Sequence, residues 1–357
     1  MRVRFGLFLD ATDVHSLIEL GIAAETEEFD SIWAPDHFTD PPPSSDRYDP
    51  WTVLGAIGAK TERVLMGTLA TDCVRRHPAS IAHVAATLDN ITKGRAILGI
   101  GAGEAMNIKP YGLTWEDPQT RVARLRESIQ VIRLLWHSNL ASPVNFQGQF
   151  YRLTDACLDI HPYGDRNLPI HIAALGSKRC LELAGELGDG YLPWFNIPES
   201  YAQRKKVIDE AAARAGRPSH EIQKAAVVCL CLSEDQNAHK KVLDSMKPEI
   251  VMFPGARRFT GLGQAVNKKS ENYSYQSCLA SGVNSERARN LGEILPDSFA
   301  RKFLVAGSAN ECIDQLEKLV KAGAGHLIMR NMLAAHGVED FHITLRRIAK
   351  EIIPVFT

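Results

Sequence analysis

The sequence predicts a closed (β/α)8 barrel. Three observations carry the prediction. Eight short apolar runs alternate with segments of helical periodicity, which is the pattern of parallel βαβ units with right-handed crossovers. No run reads as a sheet edge, so eight strands close into a barrel in preference to an open doubly wound sheet. The chain has 357 residues, enough for one such barrel with material to spare.

The elements follow in order. Residues 3–9 read as a buried strand, and Asp13 is placed to cap the helix in which Leu17, Gly21 and Ala24 recur at helical spacing. Residues 31–34 form the second strand, ending in Pro35-Asp36-His37-Phe38. The prolines at 41, 42 and 43 then enforce a loop before a helix over residues 51–59. Residues 63–70 are the third strand, ending at Thr71-Asp72. Pro78 suits the first turn of a helix reaching about Asn90. Ala96-Ile97-Leu98 begins the fourth strand, which runs into Gly99-Ile100-Gly101-Ala102-Gly103-Glu104-Ala105-Met106-Asn107, a glycine-rich end with a carboxylate at its mouth.

Val122, Leu125, Ile129, Ile132 and Leu135 mark a long amphipathic helix. Aromatics flanking Gly148 within residues 145–153 predict a small hairpin outside the main sheet. Residues 169–173, 190–194 and 225–232 are strands five to seven, and residues 326–330 are the eighth, ahead of a last helix to about Ile352. Residues 247–299 are polar, glycine-bearing and too long for an ordinary connection. They read as an insertion between strands seven and eight that leaves the barrel at its mouth, within a single domain spanning residues 1–357, and that serves either as a lid over the pocket or as a subdomain or interface away from the chemistry.

Composition narrows the function. A net charge of -1 gives no general attraction to nucleic acid or an anionic membrane. No stretch approaches the ~18 consecutive apolar residues of a membrane span. The seven cysteines are scattered, and Cys229 and Cys231 would share one strand face, so all are read as reduced thiols of a cytoplasmic protein. No histidine falls in a metal-binding arrangement, and no metal is expected. A small-molecule substrate and a homodimer or higher homo-oligomer are the expected partners.

A barrel of this kind carries its chemistry at the C-terminal ends of the strands. Those ends hold Asp36 and His37, then Asp72 and Arg75, then Glu104 and Asn107, then Gly176, Lys178 and Arg179, and finally Trp194. A histidine facing a carboxylate at one mouth is an acid–base pair suited to neutral pH. Gly176-Ser177-Lys178-Arg179 at a helix start reads either as a phosphate cradle or as an exposed basic turn.

Several motifs carry a family resemblance: Asp36-His37-Phe38, residues 88–95 (Leu-Asp-Asn-Ile-Thr-Lys-Gly-Arg), Gly101 to Asn107, Ala173-Ala174-Leu175-Gly176 and Leu187-Gly188-Asp189-Gly190. In order and spacing they resemble the bacterial-luciferase-like superfamily, in particular its branch using the deazaflavin coenzyme F420. The resemblance covers nearly the whole chain. It implies an F420-dependent oxidoreductase in which His37 and Glu104 manage protons. Asp36 and Asp72 would lie against the coenzyme, with Ala102, Gly103 and Asn107 beside Glu104. Leu69 and Ala70 would back the ring through a non-prolyl cis bond, and Leu175, Gly176, Lys178 and Arg179 would hold the phosphate. FMN is the alternative coenzyme. A methylenetetrahydromethanopterin reductase-like enzyme and an FMN-dependent monooxygenase are the alternative activities.

Two departures bear on the substrate. The dehydrogenases of the branch carry a tryptophan where Pro41 stands here, leaving Trp33, Trp51 or Trp194 to replace it. The stretch after strand six, Trp194-Phe195-Asn196-Ile197-Pro198, is uncharged, so a sugar phosphate is not expected. Glu104 itself stands where methylenetetrahydromethanopterin reductases typically have Asp.

Overall fold

The first apolar run forms β1 (Arg4–Phe8), and four of its five residues are buried. The computed structural model describes residues 2–10, 13–40, 47–253, 282–335, 337 and 339–356. Pro41 and most of the expected insertion, including Phe259, Tyr273, Tyr275 and Cys278, lie outside those residues.

From β1 the chain builds a ring. β2 (Ser31–Ala34) and β3 (Leu65–Thr68) are followed by a two-residue strand, β4 (Thr71–Asp72), and then by β5 (Ala96–Gly101). An antiparallel hairpin, β6 (Val144–Gln147) with β7 (Arg152–Ala156), stands apart from the main sheet. β8 (Ile170–Ala173), β9 (Gly190–Leu192), β10 (Gln223–Leu232), β11 (Leu304–Gly307) and β12 (His326–Asn331) complete the strands. Parallel pairings run β1–β2–β3–β5–β8–β9–β10–β12 and close back onto β1. This is the eight-stranded closed barrel the sequence predicts.

The helices sit where capping chemistry starts them. Asp13 accepts from the backbone N–H groups of His15 and Ser16 to open α1 (Val14–Thr26). α2 (Pro50–Gly58), α3 (Pro78–Ile91) and α5 (Pro118–Trp136) each have proline in the first turn, with the four-residue α4 (Ala105–Ile108) between the last two. α6 (Lys178–Leu187), α7 (Pro198–Arg214) and α8 (Gln236–Met252) follow.

One strand escapes the sequence reading. β11 is only four residues long and directly follows the polar stretch. It forms because β10 runs ten residues, past the barrel rim, and offers an edge where Cys229 registers with Leu304 and Leu232 with Gly307. Cys229 and Cys231 are both buried in a second apolar cluster. That cluster joins α8 to the helix Gly282–Glu293 and to Phe299 and Phe303. The six cysteines among the described residues are free thiols.

The motif at residues 88–95 is structural. Asp89 is fully buried, accepts from the backbone N–H of Ala96 and Tyr163, and pairs with Arg166 at 2.5 Å. Arg95 donates to the carbonyls of Gly58, Thr61, Val64 and Thr92. These bonds lock the turn feeding β5, at the end of the barrel away from the chemistry. Among the described residues no helix is long and apolar enough to cross a membrane.

Candidate active site

The strand ends converge on a cavity of about 560 Å³ at the C-terminal face of the barrel. Every residue singled out in the sequence for catalysis or coenzyme contact lines it: Asp36, His37, Leu69, Ala70, Asp72, Ala102, Gly103, Glu104, Asn107, Leu175, Gly176, Lys178 and Arg179.

His37 and Glu104 face each other. Glu104 is the N-cap residue of α4, yet its side chain caps nothing. The carboxylate turns to the cavity instead, and its Oε2 lies 3.4 Å from His37 Nε2. That oxygen is buried and has no hydrogen-bond partner. His37 Nδ1 donates to Asp40 Oδ1 at 2.5 Å, and Asp40 is in turn held by Arg47 Nε at 2.6 Å. Burial works against a charged imidazole, but Glu104 and Asp40 outweigh it and raise the His37 pKa to about 9. Burial pushes the Glu104 carboxyl above its ordinary range, against the pull of His37. Asp40 is held well below the usual carboxylate range: burial opposes this, but His37 and Arg47 prevail.

Asn107 fixes this geometry from behind. Its Oδ1 accepts from the backbone N–H of Phe38 at 2.8 Å and of Thr39 at 3.0 Å, tying the His37 loop to α4. Its Nδ2 is buried without a partner. Asp36 is less free than expected for a residue reserved for a ligand. Its Oδ2 accepts from Thr71 Oγ1 at 2.6 Å and from Arg76 Nε at 3.2 Å, and its Oδ1 from Arg75 Nη2 at 3.1 Å. Asp72 likewise accepts from the backbone N–H groups of Val74 and Arg75 and pairs with the Arg75 side chain. Both acids therefore orient Arg75 at the cavity wall.

The far rim is open and carries two cations. Gly176 has φ +106° with nothing within 4 Å of where a Cβ would stand. Ser177 makes no capping hydrogen bond at the start of α6, so its first-turn N–H groups lack a side-chain acceptor. Ser177, Lys178 and Arg179 are exposed there. Gly103, at φ +79°, allows the turn that sends Glu104 into the mouth. The Leu69–Ala70 peptide is cis.

Several cavity residues went unread in the sequence: Phe8, Asp40, Arg47, Ser245, Glu249 and Arg330. Arg330 lies near the end of β12, so the strand-end rule could have found it. Nothing in the sequence marks Glu249, which arrives on α8. Of the three tryptophans offered as replacements at the mouth, only Trp194 lines the cavity. Trp33 is fully buried within the barrel, and Trp51 is buried with its Nε1 donating to Thr71 Oγ1. Among the described residues no group of His, Cys, Asp or Glu is arranged to hold a metal ion.

Fold and site together define a (β/α)8-barrel enzyme whose mouth holds the His37–Glu104 pair and the uncapped, cationic start of α6 in one cavity. The chain belongs to the luciferase-like monooxygenase family, which it matches over residues 3–326. It is 32% identical over 323 residues to a phthiodiolone/phenolphthiodiolone dimycocerosates ketoreductase of Mycobacterium sp. (strain JLS), covering 82% of each chain. It is 30% identical to an F420-dependent glucose-6-phosphate dehydrogenase of Amycolatopsis mediterranei (strain U-32), covering 95% of this chain and 93% of the other. Solved structures with the same fold include an F420-dependent secondary alcohol dehydrogenase in complex with an F420-acetone adduct, at TM-score 0.81, 23% identity and full coverage of both chains. The coenzyme F420-dependent tetrahydromethanopterin reductase of Methanopyrus kandleri superposes at TM-score 0.76 with 22% identity, again over both whole chains.

Proposed function

We propose that this protein is an F420-dependent oxidoreductase acting on a carbonyl, alcohol or imine-type carbon of a small-molecule substrate. One observation carries the reading: a buried Glu104 oxygen without a hydrogen-bond partner, and the His37 ring 3.4 Å from it, share one cavity with the uncapped, cationic start of α6. The names of the two curated relatives support it, since one is an F420-dependent dehydrogenase and the other a ketoreductase.

The residues present suit a deazaflavin. Gly176 and the first turn of α6 would receive the phosphate, with Lys178 and Arg179 adding charge. Leu69, Ala70, Ala102 and Leu175 give the cavity apolar walls for a ring. The orphaned Asn107 Nδ2 and Glu104 Oε2 offer a donor and an acceptor to polar ring atoms. When bound, the coenzyme supplies two-electron hydride chemistry.

The chain's own part is proton handling and orientation. Asp40 fixes the His37 ring through Nδ1, so that Nε2 presents its proton to the cavity. A carbonyl oxygen seated beside Nε2 receives that proton on reduction, and an alcohol returns one on oxidation. Glu104, raised by burial, shares the proton load next to it. The assignment also includes a cytoplasmic location and a homo-oligomeric state.

Titration of the purified protein with F420 and with FMN, followed by fluorescence, tests the reading. Tight F420 binding with weak FMN binding is expected. Tight FMN binding without an F420 response, together with oxygen uptake on turnover, would replace it with the monooxygenase activity for which the family is named.

A further inference from the structure

The cations at the mouth are distributed unevenly. On the α6 side, Lys178 is exposed and its closest acidic partner is Glu182 at 3.9 Å. Across the ring, where β12 and β1 end, the cations are buried and matched. Arg330 donates through Nε to Asp10 Oδ2 at 3.0 Å and through Nη1 to Glu249 Oε2 at 2.8 Å. Arg47 donates to Asp10 Oδ1 at 3.2 Å and pairs with Asp40. The side chains of Arg47, Asp10, Arg330 and Glu249 are 6%, 9%, 11% and 16% exposed, so water does little to screen them. Burial opposes ionisation of Asp10, yet Arg330 and Arg47 hold its carboxyl below the ordinary range.

An apolar wall surrounds this network. Phe8 and Trp194 meet edge to face at 5.2 Å, and the Arg330 guanidinium lies 5.9 Å and 5.5 Å from their ring centroids. Trp194 Nε1 donates to Glu249 Oε1 at 2.9 Å, which spends its one polar atom. Ser245, Glu249 and Phe253 line the cavity at successive four-residue steps. α8 carries the first two, and Phe253 is its C-cap residue.

We propose that this wall selects the substrate by charge: it takes an uncharged, largely apolar ketone or secondary alcohol, and Glu249 enforces the choice by neutralising Arg330. The proposal rests on the oxidoreductase reading of the same cavity. Among the described residues this wall offers no unmatched cation, so a carboxylate or phosphate on the substrate would be buried beside Glu249, Asp10 and Asp40 without a partner, which is strongly disfavoured. An alkyl chain instead finds Phe8, Trp194 and Phe253. Trp194 thereby supplies the aromatic surface at the mouth.

The test compares two probes that differ at one end, 2-octanone and 7-oxooctanoate. Binding is measured by calorimetry on the whole protein, coenzyme-free and with F420 present, for the wild type and for Glu249→Gln. The wild type should bind 2-octanone more tightly than 7-oxooctanoate by about tenfold or more. Glu249→Gln keeps the side chain's shape and removes its charge. It should tighten 7-oxooctanoate by about tenfold and leave 2-octanone within about threefold. The proposal falls if the wild type binds the keto acid as tightly as the ketone, if neither probe binds, or if a folded Glu249→Gln protein keeps the wild-type ratio. If Glu249→Gln does not fold, the wild-type ratio alone decides. A protein that never binds F420 sinks the coenzyme reading, while the probe ratio on the coenzyme-free protein still judges the wall.

Discussion

His37 Nε2 and Glu104 Oε2 stand 3.4 Å apart, brought together by the loops after β2 and β5 although 66 residues separate them in the chain. The pair is asymmetric. His37 is anchored by Asp40 on its other nitrogen, whereas the Glu104 oxygen has no hydrogen-bond partner. The anchored member keeps its proton, and the orphaned member is left to interact with whatever enters.

The first prediction concerns pH. The folded-state pKa of His37 is about 9, above its ordinary 6.5, so the folded protein binds the proton more tightly than the unfolded chain. Its stabilising contribution is therefore complete below about pH 6.5 and lost as pH rises through about 9. An NMR titration of the His37 ring should place the midpoint near 9, and Asp40→Asn should lower it. A midpoint at the ordinary value would show that the carboxylates do not act on the ring.

Glu104→Gln preserves shape and removes the titrating proton. Turnover should fall by roughly 10²- to 10⁴-fold, while F420 affinity stays within about tenfold. Steady-state rates and coenzyme titration on one preparation separate the two effects. Unchanged turnover would remove Glu104 from the acid–base pair.

Gly176→Val places a β-branched side chain at φ +106° and fills the open space at the start of α6. The backbone strain should cost about 1–2 kcal/mol of stability, read by urea denaturation. F420 affinity should fall by about tenfold or more as the helix start is blocked. Retained affinity would mean the phosphate binds elsewhere.

Asp89→Ala probes the turn before β5, far from the mouth. It leaves two backbone N–H groups and Arg166 without their carboxylate, and should cost about 3 kcal/mol. Activity per folded molecule should not change. A selective loss of turnover without a loss of stability would give this motif a catalytic role.

Much of this protein was legible in the sequence. Alternating apolar runs and helical stripes give the barrel, because a parallel strand buried on both faces and a helix buried on one leave different periodicities. Strand-end reasoning then gives the His37, Glu104 and Gly176 loops, since the fold puts all of them at one face. Local capping chemistry was legible too: Asp13 caps α1 where the sequence places it. What the tertiary structure alone decided is which charges meet. β11 exists only because β10 outruns the barrel rim. Asp36 turned out to be engaged by Thr71, Arg75 and Arg76. Glu249, from the last turn of α8, reaches Arg330 across 81 positions of sequence. Pairings of this kind depend on distances of a few ångströms between side chains far apart in the chain, and neither periodicity nor spacing encodes those distances.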